Sequence, residues 1–330
     1  MENMNGQMFK VSDKMLGIEA STPDGGVIMR SIVGGVSTLL AYNPVGSDTP
    51  VPMHFPMASD KQSQLMFWAR ESVSGNWLSS ATEAHYTPGK TQKSWNYVNG
   101  QLDSKIPDFI DAAWSPVDGN LVAMLVPVGA RPSHSATEKC NLVTYNVKTH
   151  KETTLSKGVV CDVEGGTDGL ISWSPDGTKI EVDAFGVVYV NAEGGPASSL
   201  MVGKSAFGLL WVWLDGSTML VTDNSTGQPT NKLITYTWPA PNQEKHQAGP
   251  VLQGSIVGMQ ATGTGDAVVQ TFDNGLWLVN SRHAIRVATG MFNAWWYDTA
   301  NGKLYVVPVG SNRIFARSLS GLLPMGGNAS

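Results

Sequence analysis

The pattern of apolar and polar positions is clearest from Leu170 to Asp183, where two short alternating runs flank Ser174-Pro175-Asp176-Gly177-Thr178. The run reads as strand, turn, strand. Pro175 presets φ for the first corner, the Asp176 side chain can bond its own backbone, and Gly177 supplies a positive φ without steric cost. Past the turn, Ile180 and Val182 share one face while Lys179, Glu181 and Asp183 share the other, which predicts a strand exposed on one side. Val187 to Val190 predicts a third strand, Glu193-Gly194-Gly195-Pro196 a turn, and a fourth segment ends at Leu200.

The same order recurs. Ala113-Trp114-Ser115-Pro116-Val117-Asp118-Gly119 opens a copy whose later strand is Asn141 to Asn146, and Val212-Trp213-Leu214-Asp215-Gly216 opens another, followed by Leu233 to Tyr236. Two weaker copies run from Met259 to Val269, with a Gly-rich turn in place of the Trp motif, and from Trp295 to Tyr305, where Asn301-Gly302 replaces Asp-Gly as an equally good hairpin dipeptide. Turn residues Asp118, Asp176, Asp215, Asp266 and Asn301 are spaced by roughly 35 to 58 residues, around the 40 to 50 expected of four-stranded repeat units. The polar stretch Pro127 to Lys139 lengthens one interval and predicts an extended hairpin loop. Upstream, Val27 to Ile32, Ser37 to Tyr42, Gln64 to Ala69 and Trp95 to Val98 supply strands for two divergent copies. A sheet that mixed N-terminal and C-terminal strands would hide its last open edge.

The Trp173 to Ile180 run resembles the WD40-like repeat of the PD40/TolB type, which is shared with the propeller domains of prolyl oligopeptidase relatives. The likeness extends to Trp114 and Trp213 and, more faintly, to the last two copies. It implies an all-β fold with one β-propeller of four-stranded antiparallel blades spanning 1–330. Divergent blades would occupy 1–109, five repeats 110–320 and a tail 321–330, for seven blades in all, with six as the alternative. Such a resemblance concerns the fold and leaves the chemistry open. No segment is similar to the α/β domain of TolB or to the hydrolase domain of the oligopeptidases.

Composition agrees with this reading: 36 Gly, 18 Pro and 11 Trp accompany a charged fraction of only 15%. A net charge of −5 offers no positive field for a phosphate backbone, so nucleic acid is not an expected partner. No apolar run approaches the roughly 20 residues of a membrane-spanning helix. Met1 to Gly6 lacks the basic start and apolar centre of a secretory signal, so the expected home is periplasmic or extracellular if the chain is a mature form, and otherwise cytoplasmic or virion-associated. Cys140 and Cys161 suit a single bridge between hairpin-linked strands in an oxidising compartment, the alternative being two unlinked thiols.

Local catalytic motifs are missing. His54, His85, His134, His150, His246 and His283 form no ligand motif, no Gly-x-Ser-x-Gly elbow occurs, and no cofactor is expected. Asp162, Glu164 and Asp168 lie in a Gly-rich stretch whose oxygen ligands would suit calcium, although the spacing matches no known calcium loop and a solvated turn is the simpler role. Trp114, Trp173 and Trp213 occupy one repeat position and belong to the packing between blades. Trp68, Trp77, Trp95 and Trp238 fall outside that position and are the candidates for an aromatic binding surface. The leading expectation is a non-enzymatic scaffold that binds a protein partner or ligand. The alternatives are a propeller lyase or hydrolase with its site assembled in the central channel, and a structural component of a virion or cell-surface assembly.

Overall fold

A computed structural model describes residues 8–10, 15–21, 27–33, 36–42, 51–52, 63–83, 94–129, 139–161, 171–183, 187–191, 198–200, 210–223, 230–237, 245–272, 275–299, 302–310 and 313–322. Among them are strands and turns and no helix. The chain divides into two units, Lys14–Leu200 and Met1–Asp13 with Met201–Ser330. Strand β1 (Met8–Lys10) belongs to the latter.

The Lys14–Leu200 unit holds four sheets, each a meander in chain order. The first comprises β2 (Met15–Ser21), β3 (Val27–Val33), β4 (Val36–Tyr42) and β5 (Val51–Pro52). The second comprises β6 (Ser63–Glu71), β7 (Trp77–Glu83), β8 (Ser94–Val98) and β9 (Gln101–Leu102). The third comprises β10 (Ala112–Trp114), β11 (Leu121–Pro127), β12 (Lys139–Asn146) and β13 (Lys151–Val160). The fourth comprises β14 (Ile171–Trp173), β15 (Lys179–Asp183), β16 (Val187–Asn191) and β17 (Ser198–Leu200).

In the other unit, the fifth sheet comprises β18 (Trp211–Trp213), β19 (Thr218–Thr222), β20 (Lys232–Thr237) and β21 (Lys245–Val251). The sixth comprises β22 (Ile256–Ala261), β23 (Ala267–Thr271), β24 (Gly275–Val279) and β25 (Ala284–Ala288). The seventh departs from chain order: β26 (Phe292–Asp298), β27 (Lys303–Pro308) and β28 (Arg313–Ser318) are completed by β1. Met8 pairs with Phe315 and Lys10 with Arg313, antiparallel, so the edge of β28 is covered by a segment from the other end of the chain.

Period-two alternation explains how neighbouring sheets stack. Val122 and Met124 of β11 enter a core with Leu78, Phe109 and Tyr145, whereas Ala123 and Leu125 enter another with Leu142, Ile171, Trp173 and Ile180. Both faces of the third sheet are therefore occupied, which is why β11 reads as a continuous apolar run. In the other unit, Ala267 and Val269 pack with Val212 and Leu220, while Val268 on the opposite face packs with Leu304 and Val306. Two-sided burial also corrects one expectation. Glu181, expected on a solvent face, is fully buried in β15, where its Oε2 accepts the Ser172 hydroxyl at 3.1 Å. The polar positions of such a strand record a side-chain network inside the stack, not a wet surface.

Turn chemistry sets the hairpins and joins the sheets. Ser174 Oγ accepts from Lys179 N (2.9 Å), Asp176 Oδ1 accepts from Thr178 N (3.0 Å), and Gly177 takes φ +71°. In the preceding sheet Ser115 Oγ accepts from the Asp118 amide (3.1 Å) in the same way. The two turns touch: a Cβ on Gly177 would lie 2.5 Å from Val117 Cγ2. Trp173 Nε1 donates to Ala113 O (2.8 Å) across the same pair of sheets. Between the sixth and seventh sheets, Gln260 stands in for a peptide group: its Nε2 donates to Tyr297 O (2.8 Å) and its Oε1 accepts from Tyr297 N (2.9 Å).

Candidate functional site

The site lies in the Lys14–Leu200 unit, where the second and third sheets meet. Asn99-Gly100 joins β8 to β9 with φ of 52° and 77°, the pair of positive values that a two-residue hairpin needs, and Val98 faces Gln101 across it. The Asn99 side chain locks the turn onto β7, accepting from Trp77 N (2.9 Å) and donating to Asn76 Oδ1 (2.9 Å). After β9, Asp103 Oδ1 accepts from Lys105 N (3.0 Å), a tight turn that holds the carboxylate in place.

The third sheet contributes the β12–β13 hairpin. Asn146 Oδ1 accepts from Lys148 N (3.1 Å) and Thr149 N (2.9 Å), and His150 N returns to Asn146 O (2.8 Å). This brings His150 to φ +57°, a left-handed conformation more usual for glycine. Its ring is held from two sides: Nδ1 lies 3.0 Å from the Tyr145 hydroxyl and 3.5 Å from Asp103 Oδ2. Tyr145 is buried at the base of the group. Burial, together with the nearby Asp103 and Glu152 carboxylates, pushes its phenol up to about 12, so it stays a neutral hydroxyl beneath the imidazole.

Around this group opens a shallow cleft of about 450 Å³, lined by Val98, Asn99, Gln101, Leu102, Asp103, Ser104, Lys105 and His150. Polar groups of both charges thus share the cleft lining with two apolar side chains, Val98 and the exposed Leu102. The sequence pattern pointed to none of this grouping except His150 as one scattered histidine. Asp103 comes from a different sheet, and Tyr145 reads as an ordinary strand residue. The available signal was a histidine in a hairpin position where glycine is expected.

The residues singled out from sequence fall elsewhere. Trp77 and Trp95 are half-buried in the second sheet, and the Trp77 ring lies 3.5 Å from where a Gly100 Cβ would be, beneath the turn that rims the cleft. Trp68 is in β6 with its side chain outside the described residues, as is the whole of Trp238. Asp162, Glu164 and Asp168 also lie outside them, along with His54, His85 and His134. His283 is exposed in a turn. Cys140 and Cys161 are joined in a disulfide with Cα atoms 5.9 Å apart, both sulfurs buried in the core between the third and fourth sheets. Trp114, Trp173 and Trp213 are all buried in their sheets.

No protein-family model matches the chain, and no curated protein matches it. Its likenesses are structural. It superposes on a chain of the Mitotic Checkpoint Complex with a TM-score of 0.57 at 10% identity, covering 97% of this chain and 96% of that one. It also superposes on the extracellular domain of BT4673 from B. thetaiotaomicron, a protein classed as a one component or hybrid two component system, with a TM-score of 0.53 at 10 to 11% identity. There the match covers 95% of this chain and 42% of the other, so the chain spans about two-fifths of the length of that extracellular-domain chain. The fold is a β-propeller. At such identities the propeller likeness extends to the fold and no further.

Proposed function

We propose that the chain is one propeller of seven blades, of the WD40-like PD40/TolB type, and that it serves as a non-enzymatic scaffold for a protein partner. The observation that carries this reading is the superposition, over nearly the full length of both chains, on a propeller that belongs to a protein complex. The covering of β28 by β1 supports ring closure, since a propeller that ends on a shared sheet leaves no open edge. Exposed Phe272, Met291 and Val309 lie at strand ends of the sixth and seventh sheets, where loop-borne contacts are usually made. The buried disulfide supports a periplasmic or extracellular home.

The test is affinity capture with cross-linking from the source cell, comparing the wild-type chain with a Phe272→Ser, Met291→Ser, Val309→Ser variant. One specific protein recovered by the first and lost by the second is the expected result. Recovery of no specific macromolecule, together with turnover of a small substrate, would overturn the reading in favour of an enzyme.

A further inference from the structure

We propose that the end of the fifth and sixth sheets that carries Val251, Val257 and Phe272 docks an extended segment of the partner in which an aspartate or glutamate stands beside apolar residues, its carboxylate taken by Arg286. This rests on the scaffold reading and adds to it the face and the chemistry of the segment.

The two ends of these sheets differ. At one end, where β21 stops, β22 starts and β23 stops, Val251 is 64% exposed, Val257 48% and Phe272 57%. Backbone bonds fix these segments to one another: Leu252 N donates to Asn231 O, Ile256 N to Thr230 O and Phe272 N to Ser255 O, each at 2.8 Å. Exposed Met291 and Val309 continue the row onto the seventh sheet, where the Val309 amide donates to Met291 O (3.0 Å). At the opposite end, the turns of the same sheets expose Asp215, Ser217, Thr264, Arg282, His283 and Thr299. Water thus meets polar turns on one side and apolar side chains on the other, and a contiguous apolar group of that kind marks a contact surface.

Arg286 supplies the polar half of that surface. Its guanidinium lies 4.6 Å from the centroid of the Trp277 ring, and its Nη2 donates to Gln253 Oε1, two residues from Val251. Trp277 is held in turn by its Nε1, which donates to the hydroxyl of Thr271 (3.1 Å), the residue before Phe272. A stacked ring and a hydrogen bond therefore tie the cation to the segments that carry Val251 and Phe272. Arg286 is still exposed, and a guanidinium offers five N–H donors in a planar fork that matches a carboxylate.

Charge selects the occupant. Lys232, exposed and paired in register with Val251, adds a second cation to this rim, whereas the neighbouring Asp223 is only partly exposed. A second copy of the chain using the same face would set these cations against themselves, because a two-fold contact joins identical surfaces. A basic segment meets the same repulsion. Val251 and Val257 are borne on strands, and an extended segment can follow such positions one side chain at a time, whereas a lipid surface is entered by protruding loops or helices.

The experiment is selection from a random dodecapeptide display library on the full chain, followed by fluorescence anisotropy of the enriched peptides. They should carry Asp or Glu next to Leu, Ile, Phe or Met. Arg286→Gln should weaken them by about tenfold, the scale of a charge-assisted hydrogen bond, and Phe272→Ser should weaken them too. Arg282→Gln removes the same charge from the opposite end and should leave affinity unchanged, while Arg286→Lys should restore only part of the loss, keeping the charge without the fork. No enrichment, enrichment of basic sequences, or equal losses from Arg286→Gln and Arg282→Gln would overturn the proposal. Sedimentation with phosphatidylserine vesicles in place of peptide binding, or a dimer in the ultracentrifuge that Phe272→Ser dissolves, would overturn it in favour of a membrane or a second copy. A partner captured by the wild type and retained by Arg286→Gln would overturn it and leave the scaffold reading standing, whereas turnover of a small substrate with no partner captured would remove both.

Discussion

Removing the Cys140–Cys161 bridge by the double substitution Cys140→Ala, Cys161→Ala should destabilise the protein mainly through the unfolded chain. The bridge closes a loop with a sequence separation of 21, and loop-closure entropy for that length is worth about 3 kcal/mol. Both sulfurs are fully buried in the core that contains Leu142, Ile171 and Trp173, so their loss adds an incompletely filled space costing about 1 kcal/mol. The total expected is thus about 4 kcal/mol, a large part of an ordinary stability of ~5–15 kcal/mol. Urea unfolding of the oxidised wild type and the variant, followed by tryptophan fluorescence, measures it directly. The slope against urea should also rise in the variant, because its unfolded state expands further. Reductant should act slowly on the folded wild type, where no sulfur is exposed, and should leave the variant's midpoint unmoved. A loss under about 1 kcal/mol, or a reductant effect as large in the variant as in the wild type, would refute the idea that this bridge supports the stack.

Three further outcomes follow from particular contacts. Gly177→Ala, at φ +71° and aimed at Val117, should cost well over the about 1 kcal/mol expected of Gly263→Ala, which has φ +77° but open space; adding Val117→Ala should recover the steric part, and thermal unfolding of the four proteins checks this. Gln260→Ala leaves both the N–H and the C=O of Tyr297 without their partner and should cost about 2 kcal/mol by chemical denaturation. Tyr145 and Tyr305, both pushed up to about 12 chiefly by burial, keep their protons in the folded state after an exposed phenol has lost its own near 10. The unfolded chain binds fewer protons in that window, so their contribution is complete below pH 10 and disappears as pH rises towards 12. Ultraviolet titration of phenolate should show late-titrating tyrosines, and Tyr145→Phe should remove one of them and soften the alkaline fall in stability.

How much could be read from the chain depended on whether the information was local. Ser174 to Thr178 dictates its own turn, and the spacing from Trp173 to Ile180 sets which residues share a face, so the hairpins were legible wherever Pro, Asp and Gly marked them. Val27 to Ile32 and Ser37 to Tyr42 were legible only as apolar segments, and they pair as β3 and β4. Burial was harder. The apolar-in, polar-out rule assumes one wet face, and Glu181 is buried on the face that the rule assigned to solvent. Sites were hardest of all, because Asp103 and His150 meet only once two sheets have stacked, and no periodicity in either segment announces the other. The strand β1 is three residues long and carries no turn signal of its own; what it pairs with is decided by a vacancy at β28 and not by its composition.

That last pairing bears on how the molecule is made. During synthesis Met8 to Lys10 leaves the ribosome early, yet the segment it zips onto is translated hundreds of residues later. Strand β1 therefore waits without its partner until β28 has been translated, and a nascent form must be kept from pairing that waiting segment with a stranger's sheet edge. A chaperone that shields this short segment would be expected to raise the yield of native protein more than one that only slows collapse.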